Sequence, residues 1–155
     1  LGGQDPADHP VSKRRNQWAS AQEMFARFAD RAPYASWVPE VLRDYCDYGL
    51  LQKADGSFEL ACPPEIEASA YLGNAGCDIY PEIGAVSCPV TVLRAQTGER
   101  TSAMDFSISP TWPALSEQFR YGRDLQWADL THFIPMEAPD RLAALIGEQL
   151  AGQQG

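Results

Sequence analysis

Two segments of this chain predict strands of a parallel sheet. Residues 89–95 form a run of β-branched and apolar residues behind a proline, which is typical of a strand buried on both faces. Residues 124–127 predict a second, shorter strand, and a helix near residues 113–119 separates the two. Strands that alternate with helices indicate an α/β fold with a parallel sheet. Because two parallel strands alone keep unpaired edges, we expect further strands from elsewhere to complete the sheet.

The half of the chain before this region is predicted to be mostly helical. Ser20 and Glu23 have the spacing of a capping box, and an apolar helical face follows them. Pro39 suits the first turn of a second helix, which we expect to end near Gly49. Two further signals follow: an Asp-Gly turn at residues 55–56, and a third helix that begins at Pro63-Pro64 and ends at Gly73.

The C-terminal segment predicts an amphipathic helix with Pro139 in its first turn. Four apolar residues at helical spacing make up its predicted inner face: Leu142, Leu145, Ile146 and Leu150. We expect this face to pack against the sheet.

Composition excludes several classes of partner. The net charge of −9 argues against nucleic acid or an anionic membrane as the main partner. No segment approaches the roughly 18 consecutive apolar residues of a membrane span. We expect a cytoplasmic location, because the segment has no signal-peptide pattern, and its start reads like the interior of a longer chain. The four cysteines lack the spacing of a metal site, so we expect free thiols and no metal (Cys46, Cys62, Cys77 and Cys88).

Residues 130–139 carry the most specific motif in the sequence, Leu-Thr-His-Phe-Ile-Pro-Met-Glu-Ala-Pro. It resembles the histidine loop of the α/β-hydrolase superfamily, where a histidine and an aromatic residue precede Glu-x-Pro and the last helix. Thr131 replaces the glycine that usually precedes the histidine. The resemblance implies that His132 is the histidine of a catalytic triad.

The segment from Pro89 to Glu99 resembles the seventh strand of that superfamily and the loop after it. In the family the catalytic acid follows this strand by several residues. A gapless match places Glu99 at the acid position, with Asp105 as the main alternative and Asp78 as a more remote one.

The resemblance also implies a domain organisation. Residues 1–12 would be a linker, residues 13–73 a helical lid, and residues 74–155 the C-terminal part of an α/β-hydrolase core. No serine in the sequence has the Gly-x-Ser-x-Gly context of a nucleophile elbow. We therefore expect an N-terminal part of the same enzyme, on the same or another chain, to complete the sheet and to supply the nucleophile.

The expected chemistry is that of a serine hydrolase acting on an ester or related acyl substrate. A serine hydroxyl needs a base, histidine suits this role near neutral pH, and the acid orients the ring. The triad requires no cofactor. With an Asp nucleophile the same pair would serve an epoxide hydrolase or a dehalogenase, and with a different pocket a carbon–carbon bond hydrolase. A relative that keeps the pocket only for binding is the non-catalytic alternative.

Four aromatic residues are candidates for contact with a small-molecule substrate. Phe133 follows His132, and three aromatics of the predicted lid could line an apolar pocket: Trp18, Phe28 and Trp37. The simpler interpretation of the lid aromatics is that they form the core of that segment.

Overall fold

A computed structural model describes residues 5–73, 78–102 and 105–152. It divides into two compact units. The first contains Leu1–Ala35 and Pro39–Asp78, and the second contains Ser36–Val38 and Ile79–Gly155. The short segment 36–38 therefore packs with the C-terminal part of the chain, whereas the sequence placed it within the predicted lid.

The first unit combines helices with a small antiparallel sheet. Its α-helices are α1 (Ala21–Phe28), α2 (Pro39–Tyr48) and α3 (Pro64–Gly73). Its strands are β1 (Gln17–Trp18), β2 (Leu50–Gln52) and β3 (Phe58–Leu60), in the order β1-β3-β2. Two 3-10 turns, Pro6–Asp8 and Pro10–Lys13, pack against α3.

Local sequence signals predicted several elements of this unit. Ser20 accepts a hydrogen bond from the Glu23 amide at 3.0 Å, so the predicted cap at Ser20 is confirmed. The Glu23 carboxylate accepts from the Ala19 amide at 2.8 Å, one residue before the cap, rather than from the amide of Ser20 itself. Gly56 adopts φ 84° in the turn between β2 and β3, a backbone conformation that glycine tolerates best. Strand β1 was not predicted, because two residues carry no periodicity.

The second unit contains the parallel sheet and the histidine motif. Its elements are α4 (Tyr80–Ile83), β4 (Val90–Arg94), β5 (Gly122–Gln126), α5 (Ile134–Glu137) and α6 (Pro139–Ala151). A 3-10 helix, Leu115–Gln118, lies where the sequence predicted a helix between the strands. None of the helices that the structure describes has the length and apolarity needed to cross a membrane.

Strands β4 and β5 pair in parallel, as predicted, in a register that runs from Val90 opposite Gly122 to Arg94 opposite Gln126. Beyond the strands the core holds Ala95, Trp127 and Ile134, each less than 9% exposed. Five partly buried leucines pack against this core: Leu93, Leu125, Leu130, Leu142 and Leu145. The core therefore joins the sheet to α6.

In the described part of the chain, the sheet and the last helix are only half covered. Strand β4 pairs with β5 alone, so alternate backbone groups of its other edge have no strand partner there. Ile146 and Leu150 lie on the apolar face of α6 but are 51% and 60% exposed. An apolar groove of about 270 Å³ lies beside them, lined by Pro89, Thr91, Leu93, Leu142, Leu145, Ile146, Gln149 and Leu150.

A bidentate ion pair links strands β4 and β5. Arg94 Nε and Nη2 donate to the two carboxylate oxygens of Asp124 at 2.6 and 2.8 Å. The Arg94 side chain is 9% exposed and that of Asp124 34%. The hydrogen bonds to Arg94 lower the pKa of Asp124, and those to Asp124 raise the pKa of Arg94.

We predict that Asp124→Asn destabilises the second unit by about 1.5 kcal/mol, because it weakens a charge-assisted bond that is partly exposed. Urea unfolding followed by the NMR signals of β4 and β5 measures this. Since the pKa of Asp124 is lowered in the fold, the contribution is present above the unfolded value of about 3.9 and is lost as the pH falls through the folded pKa. The control is Asp129→Asn in the same unit, since Asp129 pairs with Arg141 at 2.9 Å through side chains that are 65% and 46% exposed, and we expect a loss below about 0.5 kcal/mol. Equal losses in the two variants would contradict this prediction.

Candidate active site

The loop that carries His132 is anchored in the core at both ends. Trp127 begins it and Ile134 ends it, and both are 7% exposed. The Trp127 amide donates to the Arg94 carbonyl at 2.8 Å, and the Gln96 amide donates to the Leu130 carbonyl at 3.0 Å. The pairing of β4 and β5 thus continues past the strands and places the loop beyond their carboxyl ends, where ligands of parallel α/β sheets usually bind.

His132 is held from one side by Phe106. The His132 amide donates to the Phe106 carbonyl at 3.1 Å, and the two rings stack with centroids 5.8 Å apart and 18° between their planes. The Phe133 ring lies 5.9 Å from the imidazole and 5.6 Å from Phe106, so three rings form one cluster. The other side of the imidazole is open to solvent.

This environment favours the neutral form of the imidazole. Desolvation by its neighbours lowers the pKa of His132, and the positive charge of Arg100 lowers it further. A histidine must be neutral to accept a proton. The shift therefore favours the form that a general base needs at neutral pH.

A small cavity of about 180 Å³ adjoins His132. Its walls are mostly apolar, with two hydroxyl-bearing residues: Leu93, Ala95, Ser109, Thr111, His132, Ile134, Pro135 and Leu142. Ser109 Oγ accepts a hydrogen bond from the Thr111 amide at 3.3 Å. The cavity can hold a small apolar group next to the imidazole.

The structure does not bring Glu99, the predicted acid, into contact with His132. Glu99 is exposed in the segment after β4 and forms no hydrogen bond or ion pair within the described residues. The gapless match to the family assigned Glu99 only from its position in the sequence. A position in a loop does not determine the direction of the side chain. Its role as the acid stays a prediction.

Asp105, the alternative acid, directly precedes the residue that stacks on His132. Its carboxylate accepts four hydrogen bonds, from the amide and the hydroxyl of Thr101 at 3.0 and 2.9 Å and from those of Ser107 at 3.1 and 2.5 Å. These bonds hold the pKa of Asp105 well below its usual range. Asp105 is thus ionised and positioned in the loop beside the imidazole, but both its oxygens are engaged within that loop.

Of the four predicted substrate contacts, Phe133 lies beside His132 and Trp37 contacts Phe133. Trp37, which is 8% exposed, packs on Phe133 with ring centroids 5.4 Å apart. Sequence alone could not bring them together, since almost a hundred residues separate them.

The other two predicted contacts, Trp18 and Phe28, lie in the first unit. They pack edge to face at 5.3 Å, and Phe28 stacks on Tyr34 at 4.2 Å. Trp18 is 3% exposed, and the Arg15 guanidinium lies 4.1 Å above its ring. They form core contacts of that unit, and their contact with a substrate stays a prediction.

Two residues that hold the histidine loop had no role assigned to them from the sequence. Phe106 had no motif to mark it, because only tertiary structure brings it to His132. Glu137 was visible as part of the Glu-x-Pro motif, yet its bond to the Thr131 amide at 2.7 Å follows only from the folded loop. Across the residues that the structure describes, no cluster of three or more metal-ligating side chains occurs.

Comparison with known proteins places this geometry in a known fold. No protein-family profile matches the chain, and no curated protein matches it in sequence. Among solved structures, an E-2-(acetamidomethylene)succinate hydrolase matches 86% of the chain with a TM-score of 0.60 and 15% identity. The chain therefore has the fold of the C-terminal part of an α/β-hydrolase, and it spans about 46% of the length of that matched chain.

We predict that the pKa of His132 lies below the ordinary imidazole value of about 6.5. Replacing Phe106 by Ala removes the ring that shields one face, so it should raise this pKa toward the ordinary value. Proton NMR titration of the imidazole measures the effect, and a His9→Gln background leaves one histidine, because the chain has two. Tyr121→Ala, at the other end of β5, is the matched control. An unchanged titration in Phe106→Ala would contradict the proposed cause.

Proposed function

We propose that this chain supplies the general base of an α/β-hydrolase-type serine hydrolase that acts on an ester or related acyl substrate. The observation that carries the proposal is His132, a solvent-accessible imidazole with a lowered pKa, at the carboxyl ends of two parallel strands. A serine on the completing part of the enzyme would attack the acyl carbon and give its proton to His132. His132 would then return the proton to the leaving group, and water would release the acyl group.

The matched structure supports a hydrolase over a non-catalytic relative. Its name describes a hydrolase of E-2-(acetamidomethylene)succinate, a compound that carries an acetamido group. This name supports a hydrolase in general, and it does not favour the ester substrate over the carbon–carbon bond alternative. One observation favours the non-catalytic alternative. Within the described residues, His132 forms no hydrogen bond with Glu99 or Asp105.

We infer that the acid is Glu99 or Asp105, and the two differ in what must change for them to act. Asp105 lies in the loop beside the imidazole and is ionised, but its oxygens would have to exchange one partner for His132. Glu99 has no competing partner in the described part of the chain, but it would have to turn toward the ring.

We further propose that an N-terminal part of the same enzyme, on the same or another chain, completes this half. The open edge of β4 and the apolar groove beside Ile146 and Leu150 suit an adjoining strand and the residues that flank it. The matched hydrolase is about twice as long as the region this chain covers, which leaves room for the remaining strands and a nucleophile elbow.

We predict that His132→Ala lowers kcat/KM of the intact enzyme by at least about a thousandfold, since a triad without its base keeps only binding and oxyanion stabilisation. Hydrolysis of p-nitrophenyl acetate measures the effect. His9→Ala is the matched control and should retain full activity. Wild-type turnover by folded His132→Ala would refute the assignment.

The acid is tested by Glu99→Gln and Asp105→Asn in the same assay. We expect the variant of the true acid to lose about a hundredfold or more in kcat/KM, because the ring loses its orienting partner, and the other to lose little. If both variants keep full activity while His132→Ala is inactive, neither carboxylate is the acid.

The nucleophile is tested by labelling the intact enzyme with a fluorophosphonate, followed by peptide mapping. We expect a labelled serine in a Gly-x-Ser-x-Gly segment outside the present sequence. An unlabelled enzyme that instead forms an ester intermediate at an aspartate would favour the epoxide hydrolase or dehalogenase alternative.

A further inference from the structure

We propose that Glu137 and Ser36 are positioning residues that hold the histidine loop in the geometry in which His132 can act as a base. The proposal rests on the function proposed above. It gives a role to the glutamate of the Glu-x-Pro motif, which the triad itself does not use.

Hydrogen bonds connect the Glu137 carboxylate to the residues on both sides of His132. Its Oε2 accepts the Thr131 amide at 2.7 Å, and its Oε1 accepts the Thr131 hydroxyl at 2.5 Å. The same Thr131 oxygen accepts the Phe133 amide at 3.3 Å. The backbone before and after the imidazole is therefore connected to a single carboxylate.

Helix α5 brings this carboxylate to the loop. The Phe133 carbonyl accepts the amides of Met136 and Glu137 at 2.9 and 3.0 Å, so the chain turns back immediately after His132. Glu137 follows Thr131 by six positions, and the turn returns its side chain to the base of the loop.

A distant segment completes the arrangement. We call residues 36–38 the strap, because they pack with the histidine loop although they come from the other half of the sequence. The Ser36 hydroxyl donates to Glu137 Oε1 at 2.6 Å, and the Val38 amide donates to the Met136 carbonyl at 2.9 Å. With Trp37 packed on Phe133, the strap contacts the loop through both polar and aromatic groups.

Three donors converge on one carboxylate, and this explains why a glutamate suits the position. Hydrogen bonds to an ionised acceptor are about twice as strong as those between neutral groups. A glutamine would keep one carbonyl oxygen but would direct an NH₂ group at one of the donors. The loop would then sample more conformations, and a base displaced by about 1 Å can lose about a hundredfold in rate.

The first test compares Glu137→Gln with Glu148→Gln in the intact, ¹⁵N-labelled protein by NMR. Glu148 lies exposed on α6, so its variant controls for the loss of a charge. In Glu137→Gln we expect the Thr131 amide to exchange with solvent about tenfold to a hundredfold faster, and the His132 pKa to rise as the ring becomes more solvated. Unchanged exchange and titration in folded Glu137→Gln overturn the proposal. This test needs no activity, so its failure is distinct from failure of the proposed function.

The second test separates positioning from simple stabilisation through Ser36→Ala and Ser36→Thr. Threonine keeps the hydroxyl, so we expect Ser36→Thr to behave as wild type. For Ser36→Ala we expect kcat to fall about threefold to tenfold with KM unchanged, because one neutral donor is lost and binding groups are untouched. Hydrolysis of p-nitrophenyl acetate at several pH values should also show the acidic limb of kcat/KM moved to higher pH. If Glu137→Gln fails to fold, the two serine variants replace it in the NMR measurement, which needs no activity. Equal exchange rates of the Thr131 amide in Ser36→Ala and Ser36→Thr then overturn the proposal.

Discussion

The parallel pairing of β4 with β5 is the constraint on which the candidate site depends. It continues past both strands, through the bonds from Trp127 to Arg94 and from Gln96 to Leu130, so the loop after β5 starts at a fixed point. The loop runs from Trp127 to Ile134, and the side chains of both residues are buried. His132 is exposed, but the backbone on either side of it is anchored and its ring stacks on Phe106. This arrangement suits a general base, because a base must be accessible to the substrate and held in a fixed position.

The same sheet explains why the half-covered surfaces lie where they do. A central parallel strand needs neighbours on both edges, and in the described residues β4 has only β5. The core beside it has three buried members, Ala95, Trp127 and Ile134, while Ile146 and Leu150 of α6 are more than half exposed. Within this half, the Arg94–Asp124 pair crosses the two strands with a buried cation. A chain that matches about 46% of a longer hydrolase would carry such surfaces where the rest of the sheet belongs.

Glu137, Asp105 and Glu99 differ in the hydrogen bonds that their carboxylates accept. Glu137 is committed to the Thr131 backbone and hydroxyl and to Ser36, which suits a structural anchor. Asp105 closes its own loop with four bonds that favour its ionised form, and its neighbour Phe106 stacks on the imidazole. Glu99 is exposed and uncommitted in the described part of the chain. To act as the acid for His132, Asp105 would have to exchange an existing hydrogen bond, whereas Glu99 would have to be ordered by new ones.

The sequence by itself determined the elements whose signals are local. The helix cap at Ser20, the Asp-Gly hairpin turn, both parallel strands and the final helix all appear as predicted, because each depends on residues close together in the chain. The histidine motif made His132 a candidate from ten consecutive residues, and its catalytic role stays a prediction. Only tertiary structure decided what surrounds that imidazole. Phe106 and the strap 36–38 reach it across long stretches of sequence, and side-chain direction decided that neither Glu99 nor Asp105 bonds to it. Contacts of this kind arise from packing and long-range hydrogen bonds, which leave no periodicity or spacing for a single sequence to reveal.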